Sequence, residues 1–302
     1  MEKDLDIEDR ERDHFLILKE ANRIEKGVRA ICIMYHEHSL DKDSKINVTV
    51  FQDSIKYRLL SIAHQYLTFY RELINCEKFL LDTQKSGHIV FNEFPFENST
   101  LGTIQMQISS NFDNIIFHVS SVFDYMANLI SYTCNTNKDK PYYWSELIKK
   151  INKKEIVLSD DIKQLLLTIH STFIDGFYNY RSILLHRKKD NHGFMASLDP
   201  NNVTFNVKVF ASEHALLYFE QIKAQFPKRN ITLAYLSSWL IKESFVNLEL
   251  LLDTLRLEIL RESNFAENLH KHKAPGYMIV FADQNKGVLP VSEMLWSDFK
   301  KI

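Results

Sequence analysis

The chain has 302 residues, a net charge of −2, and 45% hydrophobic and 25% charged residues, a composition typical of a globular protein with a sizeable core. Only seven glycines and six prolines occur, which favours a chain that lies mostly in helices rather than in turns. The near-zero net charge excludes a global field that would draw the molecule onto nucleic acid or an anionic membrane, so any such binding must use a local basic patch.

The first half of the chain shows three long segments of helical periodicity. Apolar residues recur at helical spacing over residues 13–37, 53–82 and 107–132, which predicts three amphipathic helices. The stretch over residues 85–103 contains two glycines and a proline. It predicts a loop with one short strand at residues 89–91.

The second half continues the helical pattern with one interruption. We predict a short helix around residues 144–150, a fourth long helix over residues 160–186 and another over residues 232–262. Alternation of apolar and polar residues at 203–209 predicts a strand. It marks a small β insertion at about residues 194–210.

These elements predict an all-α fold, an antiparallel helical bundle in a single domain over residues 1–302. Residues 263–302 are expected to form a C-terminal packing or dimerisation extension. The core helices are expected at about 53–82, 107–132, 160–186 and 232–262.

Neither the cysteines nor the N-terminus indicates export. Cys32, Cys76 and Cys134 stand far apart without a C-x-x-C pair, so we expect buried, reduced thiols and no disulfide framework. The first ten residues are charged where a signal peptide has an apolar run, and no apolar run reaches membrane-spanning length. We therefore expect a cytoplasmic protein without a membrane partner.

The arrangement that most strongly indicates chemistry lies at the end of the predicted fourth helix. The helix ends in Tyr-Arg-Ser-Ile-Leu-Leu-His-Arg, with Arg181 and His186 five positions apart, and the spacing recurs in Arg187 and His192. About sixty residues upstream, the predicted third helix carries Phe-Asp-Tyr-Met-Ala-Asn over residues 123–128.

This pattern resembles the HEPN superfamily, in which two long helices pack side by side and the later one presents an Arg-x-x-x-x-His motif near its C-terminal end. The resemblance covers roughly residues 105–190. It implies an endoribonuclease that is active as a homodimer, often as a toxin or anti-phage defence effector with an antitoxin or another defence-system partner protein. Arg181 and His186 match the two fixed residues, and Ser182 occupies the next position, where the family usually has Asn, Asp or His.

The residue types suit this chemistry. Cleavage of RNA without a metal needs a group with a pKa near neutrality to move protons at the 2′-hydroxyl and the leaving oxygen, and histidine meets that need. It also needs a permanent cation to stabilise charge on the phosphoryl oxygens, as a guanidinium does. We expect His186 as acid or base, Arg181 as charge stabiliser, Ser182 beside them, single-stranded or looped RNA as substrate, and no metal or other cofactor.

Helix geometry adds the expectation of a homodimer. Five positions at about 100° each leave Arg181 and His186 roughly 140° apart on a regular helix. One chain would then struggle to aim both side chains at one phosphate, whereas two helix ends that meet across a two-fold axis combine them.

Neighbouring residues have supporting roles in this interpretation, each with an alternative. Arg187, Lys188 and Lys189 either contact RNA phosphates or interact with the dipole of the helix C-terminus. Asp124 and Asn128 either position the motif arginine across the helix pair or form an i,i+4 surface pair.

Two alternatives to the nuclease interpretation stay open. In the first, Arg181 pairs with a carboxylate between helices and His186 only caps the helix C-terminus. In the second, which Ser182 and the near-neutral charge favour, the whole domain is a catalytically inactive HEPN-like RNA-binding or protein-interaction module.

Other polar clusters are weaker candidates. The histidine pairs 36/38 and 270/272 lack a third ligand nearby and predict no metal site. A basic, aromatic connector is either an RNA-tracking strip or a solvated linker; its residues are Lys138, Lys140, Tyr142, Tyr143, Trp144, Lys149, Lys150, Lys153 and Lys154.

Overall fold

The computed structural model describes residues 10–38, 48–87, 99–134, 140–186, 192–199, 201, 203–225, 230–261, 280–283 and 287–301. Most of these residues are helical, which confirms the expected all-α class. The helices are α1 (Arg10–His38), α2 (Thr49–Lys85), α3 (Ser99–Thr133), α4 (Trp144–Asn152), α5 (Asp160–Ile169), α6 (Asp175–His186), α7 (Glu213–Leu216), α8 (Glu220–Gln225), α9 (Leu233–Arg261) and α10 (Val291–Lys300).

The predicted helices at 13–37, 53–82, 144–150 and 232–262 are confirmed to within a few residues at each end. Helix α3 begins at Ser99, well before the predicted start at 107. Gly102 suggested a loop, but it lies inside the helix, where no atom would contact an added Cβ. The predicted strand at 89–91 lies outside the described residues.

The predicted fourth helix contains a feature that periodicity did not reveal. A π-helical turn, His170–Ile174, separates α5 from α6, and such a turn accommodates one extra residue in the helix. Phe173 and Ile174 in this turn are buried. Apolar residues therefore continue through the interruption, which explains why the sequence reads as one helix.

The β insertion is an antiparallel hairpin of two strands, β1 (Gly193–Asp199) and β2 (Thr204–Phe210). The predicted alternation is confirmed at Phe205, Val207 and Val209 of β2, which are buried. The strand begins at Thr204, and Val203, predicted as its first apolar position, is 52% exposed. Strand β1 was not predicted as a separate element because Phe194, Met195 and Ala196 are consecutive apolar residues that hide the alternation of its sequence. None of its side chains is fully buried.

The C-terminal part contains more structure than the sequence indicated. Strands β3 (Val280–Asp283) and β4 (Gly287–Pro290) form a second antiparallel pair, and α10 follows directly. Trp296 and Phe299 of α10 are buried with ring centroids 4.9 Å apart. The expected role of residues 263–302 in packing or dimerisation stays a prediction.

Backbone contacts divide the chain into two compact units, and the expectation of a single domain stays a prediction. Unit 1 comprises the described parts of Met1–Ile17, Ser61–His118 and Phe173–Lys242. Unit 2 comprises those of Leu18–Leu60, Val119–Thr172 and Glu243–Ile302.

Aromatic side chains form the centre of unit 1. The ring of Phe177 lies 4.9 Å from Phe173 and 5.3 Å from Phe219, and Tyr180 lies 5.7 Å from Phe219 and 6.2 Å from Phe112. Edge-to-face packing at these distances adds to the free energy of apolar burial. It fixes the face of α6 that points into the core.

Unit 2 has its own core, with two buried indole rings. The ring centroids of Trp144 and Phe123 lie 5.5 Å apart. The second indole, Trp296, packs against Phe299 within α10. Arg23 donates to Glu249 at 2.7 Å, and its guanidinium lies 5.0 Å from the centre of the Phe299 ring. These contacts attach α1 to both α9 and α10.

Candidate functional site

The candidate site lies at the end of α6 in unit 1, and Tyr180 sets its orientation. Tyr180 is fully buried in the aromatic core, so the next residue, Arg181, emerges at the core margin. Its guanidinium carbon lies 5.7 Å from the centre of the Phe117 ring in α3, and its Nε atom is buried. A cation over an aromatic face is attractive and is stronger when it is partly desolvated.

The contact with Phe117 gives the motif arginine a fixed position beside the helix that the HEPN resemblance pairs with it. Arg181 is half-buried, and Ser182 is exposed. A partly exposed, permanently charged group held against a ring is suited to receive a phosphate from the solvent side.

The remaining motif residues are described less fully. His186 is the last residue of α6, and its side chain lies outside the described part of the structure. Arg187, Lys188 and Lys189 also lie outside the described residues. The five-position spacing of Arg181 and His186 on one helix, roughly 140° of rotation, is therefore the relevant geometry for this pair.

The second Arg-x-x-x-x-His arrangement has a structural explanation at its histidine. The His192 Nδ1 atom accepts the Ser212 N–H at 3.2 Å, and its ring packs edge-on against Phe112 at 5.7 Å. His192 thus ties the hairpin to the chain before α7. This engagement favours the first arrangement, which ends in His186, as the candidate site.

Asp124 and Asn128 contact the backbone of the segment that precedes α4. Asp124 Oδ1 accepts the backbone N–H of Trp144 at 3.2 Å. Asn128 is buried and donates to the carbonyl oxygens of Tyr142 at 2.7 Å and Pro141 at 3.4 Å. The two side chains hold the segment that leads into α4, and the burial of Asn128 excludes a surface pair. The expectation that they position Arg181 stays a prediction.

The basic connector is partly a structured element. Trp144 is completely buried, so it is not available to stack on a base, whereas Tyr143 is 57% exposed. Lys150 donates to Glu155 at 2.7 Å and lies over the Tyr142 ring. Lys138 lies outside the described residues, and the exposed lysines around α4 are Lys140, Lys149, Lys153 and Lys154.

Lys154 adopts a backbone conformation that is unusual for lysine. Its φ is 57°, the left-handed region that favours glycine. The Lys154 N–H donates to the Ile151 carbonyl and the Glu155 N–H to the Lys150 carbonyl, each at 3.0 Å, so that Lys154 closes a Schellman motif after α4. Lys154 is therefore a position where glycine would relieve backbone strain.

The remaining candidates from the sequence show no reactive arrangement. Within the described residues, no group of three or more His, Cys, Asp or Glu side chains is placed to hold a metal ion. Burial raises the pKa of the Cys32 thiol and raises that of Cys76 to about 12, which makes both poor nucleophiles. Cys134 is half-buried rather than buried as expected.

Glu37, between the two histidines at 36 and 38, is a structural carboxylate. It is 2% exposed and accepts the Val291 N–H at 3.0 Å and the Ser292 hydroxyl. These two residues open α10. The side chain therefore caps a helix that lies far away in the sequence, and the pair at 270 and 272 lies outside the described residues.

Comparison with known proteins yields no relative from which a function would follow: no family model, no curated protein and no solved structure matches this chain. None of the helices in the described ranges combines the length and apolarity needed to cross a bilayer.

Proposed function

We propose that the chain is an HEPN-like, metal-independent endoribonuclease that cuts single-stranded or looped RNA, and that it serves as a toxin or anti-phage effector with a restraining partner. One observation carries the proposal. The Arg-x-x-x-x-His motif occupies the end of α6, and its arginine is held against Phe117 of α3.

The proposed reaction uses only the motif side chains and solvent water. As the 2′-oxygen attacks the adjacent phosphorus, His186 either takes the proton of the 2′-hydroxyl or donates a proton to the leaving 5′-oxygen, and solvent water completes the other proton transfer. The bond to the 5′-oxygen breaks, leaving a 2′,3′-cyclic phosphate and a 5′-hydroxyl. Arg181 stabilises the charge that grows on the phosphoryl oxygens.

The proposed active form is a homodimer. Five positions on a regular helix place two residues roughly 140° of rotation apart, whereas a two-fold axis would combine Arg181 of one chain with His186 of the other. Ser182 follows Arg181 in the chain, is exposed and contributes a hydroxyl to the proposed active site.

The test is an RNA cleavage assay in excess EDTA with the parent protein, Arg181→Ala and His186→Ala. His64 is an exposed histidine on α2, so His64→Ala is the matched control. We expect the parent and His64→Ala to cut mixed cellular RNA, and both motif variants to lose 10²-fold or more in rate. Equal rates in all four proteins would exclude the assigned site.

The second candidate function is an HEPN-like RNA-binding module without catalysis. The exposed lysines around α4, with Tyr143 exposed among them, favour it, because cations and aromatic faces together bind single strands without sequence preference. RNA retained intact by the parent, with affinity that falls as salt rises, would support this function over the nuclease.

A further inference from the structure

Unit 1 contains a groove whose lining includes no residue of the Arg181–His186 motif. It has a volume of about 480 Å³ and lies between the first turns of α1 and the second half of α2. His14 lines one side. Helix α2 lines the other with residues at i, i+3, i+4 and i+7 spacing, which places them on one face; they include Leu67, Tyr70, Arg71, Ile74 and Lys78.

The groove carries positive charge that no carboxylate in the described chain neutralises through an ion pair. Arg71 and Lys78 are exposed. Two nearby carboxylates have partners outside the groove. Asp13 accepts hydrogen bonds from the Ser238 hydroxyl and the Lys242 ammonium, each at 3.0 Å. Glu77 accepts a hydrogen bond from the Val207 N–H at 3.1 Å. An anion is therefore the natural complement of this surface.

His14 responds to the same positive field. Burial lowers the pKa of His14, and the charge of Arg71 lowers it further. A bound anion would act in the opposite direction and raise the pKa of this imidazole. His14 is therefore a built-in reporter of anion binding.

The shape of the groove restricts the anion. Seven positions separate Arg71 from Lys78, about 10 Å along the helix axis, and two long cationic side chains at that spacing reach adjacent phosphate groups. Leu67 and Ile74 supply an apolar wall, and Tyr70 adds an aromatic ring. The volume lies within the range of about 300–1,000 Å³ that small-ligand pockets occupy.

We propose that this groove binds a nucleoside diphosphate, with Arg71 and Lys78 on the phosphates and the base against Tyr70 and the apolar wall. The site goes beyond the proposed nuclease and does not depend on it. Asn75, also on this face of α2, supplies a neutral donor between the two cations.

The test is isothermal titration calorimetry of the full chain with ADP, GDP, adenosine and inorganic pyrophosphate. We expect saturable binding of ADP or GDP, at least tenfold weaker binding in Arg71→Ala and in Lys78→Ala, and weaker binding of adenosine and pyrophosphate than of either nucleotide. Lys56→Ala removes an equal charge from an exposed position on α2 and should bind like the parent. Equal melting temperatures will show that these surface variants fold.

A second readout follows the His14 ring by NMR, where ADP should raise its pKa in the parent and not in Arg71→Ala. No saturable nucleotide binding by the parent, or equal weakening in Lys56→Ala and Arg71→Ala, would overturn the proposal. Pyrophosphate that binds as tightly as ADP would overturn the assignment of the base-binding wall. Binding of a short single-stranded RNA that depends on Arg71, without nucleotide binding, would assign the groove to RNA instead.

Discussion

Gly176 permits a close approach of α6 to the turn after α7. A Cβ atom at this position would lie 2.1 Å from the carbonyl oxygen of Tyr218, so no other residue fits without displacement of the backbone. Arg181 lies five residues later on the same helix, so the close approach at Gly176 also positions Arg181.

We predict that Gly176→Ala lowers the free energy of unfolding by about 1–3 kcal/mol or more, since overpacking forces backbone shifts. Gly102→Ala is the control, because an added Cβ there contacts nothing and alanine in a helix should raise stability by roughly 0.5–1 kcal/mol. Urea denaturation of both variants measures the difference. Effects of the same sign would contradict the close approach at residue 176.

Lys154 leads to a prediction of opposite sign. Its left-handed φ of 57° costs about 1–2 kcal/mol for a non-glycine residue, so Lys154→Gly should stabilise the protein by up to about 1 kcal/mol after the entropy of glycine is counted. Lys153 has a right-handed φ of −82°, so Lys153→Gly removes the same charge and should destabilise. Thermal melts that show no difference between the two would contradict this interpretation.

Single residues also show where sequence reasoning stops. The identities of Arg181, Ser182 and His186 and their place at a helix end follow from the sequence, and α6 ends at His186 as predicted. The role of Asn128 does not follow, because its partners are backbone carbonyls at 141 and 142 that leave no compositional signal. The α2 groove does not follow from the sequence either, because His14 lies on a different helix from the cations that line the groove with it.

At the scale of elements, α10 is attached to unit 2 by a buried carboxylate. Pro290 precedes α10 and supplies no side-chain cap; Glu37 accepts the first N–H instead. Burial raises the pKa of Glu37 above its ordinary value, although the hydrogen bonds from Ser292 and Val291 oppose this shift.

The ordinary pKa of a glutamate, about 4.3, applies in the unfolded state. Because the pKa of Glu37 is higher in the folded state, the free energy of unfolding falls as pH rises from the unfolded-state pKa to the folded-state pKa. We predict that Glu37→Gln removes this loss, so the stability of the variant relative to the parent increases from pH 4 to pH 7. Glu220 is exposed, and Glu220→Gln is the charge-matched control. Parallel pH profiles of the parent and Glu37→Gln in thermal unfolding would contradict the prediction.

The sequence predicts the long helices well because each has an apolar stripe of helical period over many turns. The sequence does not predict α10, because the apolar pattern of this ten-residue helix is too short to distinguish a helix from an irregular C-terminal segment. It also misses the π-helical turn at 170–174, because Phe173 and Ile174 keep the apolar pattern through it. Strand β1 is missed because three consecutive apolar residues, Phe194, Met195 and Ala196, hide the alternation of its sequence, although burial alternates along most of the strand.

At the scale of the whole molecule, the proposed nuclease requires two chains. We predict that a mixture of Arg181→Ala and His186→Ala chains, denatured and refolded together, recovers part of the RNA cleavage that each variant lacks alone, because a mixed dimer contains one intact pair across its axis. The same variants refolded separately and then mixed on ice are the control. Failure to recover activity, in mixtures shown to contain mixed dimers, would contradict an active site that is shared between two chains.

The measurement that tests the nuclease most directly uses a defined single-stranded RNA and its analogue with 2′-deoxy sugars, both in excess EDTA. The parent should cut the RNA, leave a 2′,3′-cyclic phosphate and spare the deoxy analogue, while His186→Ala should be slower by roughly 10²–10⁴-fold. Absence of cleavage, cleavage of the deoxy analogue, or an unchanged rate in His186→Ala would contradict a metal-independent site built from Arg181 and His186.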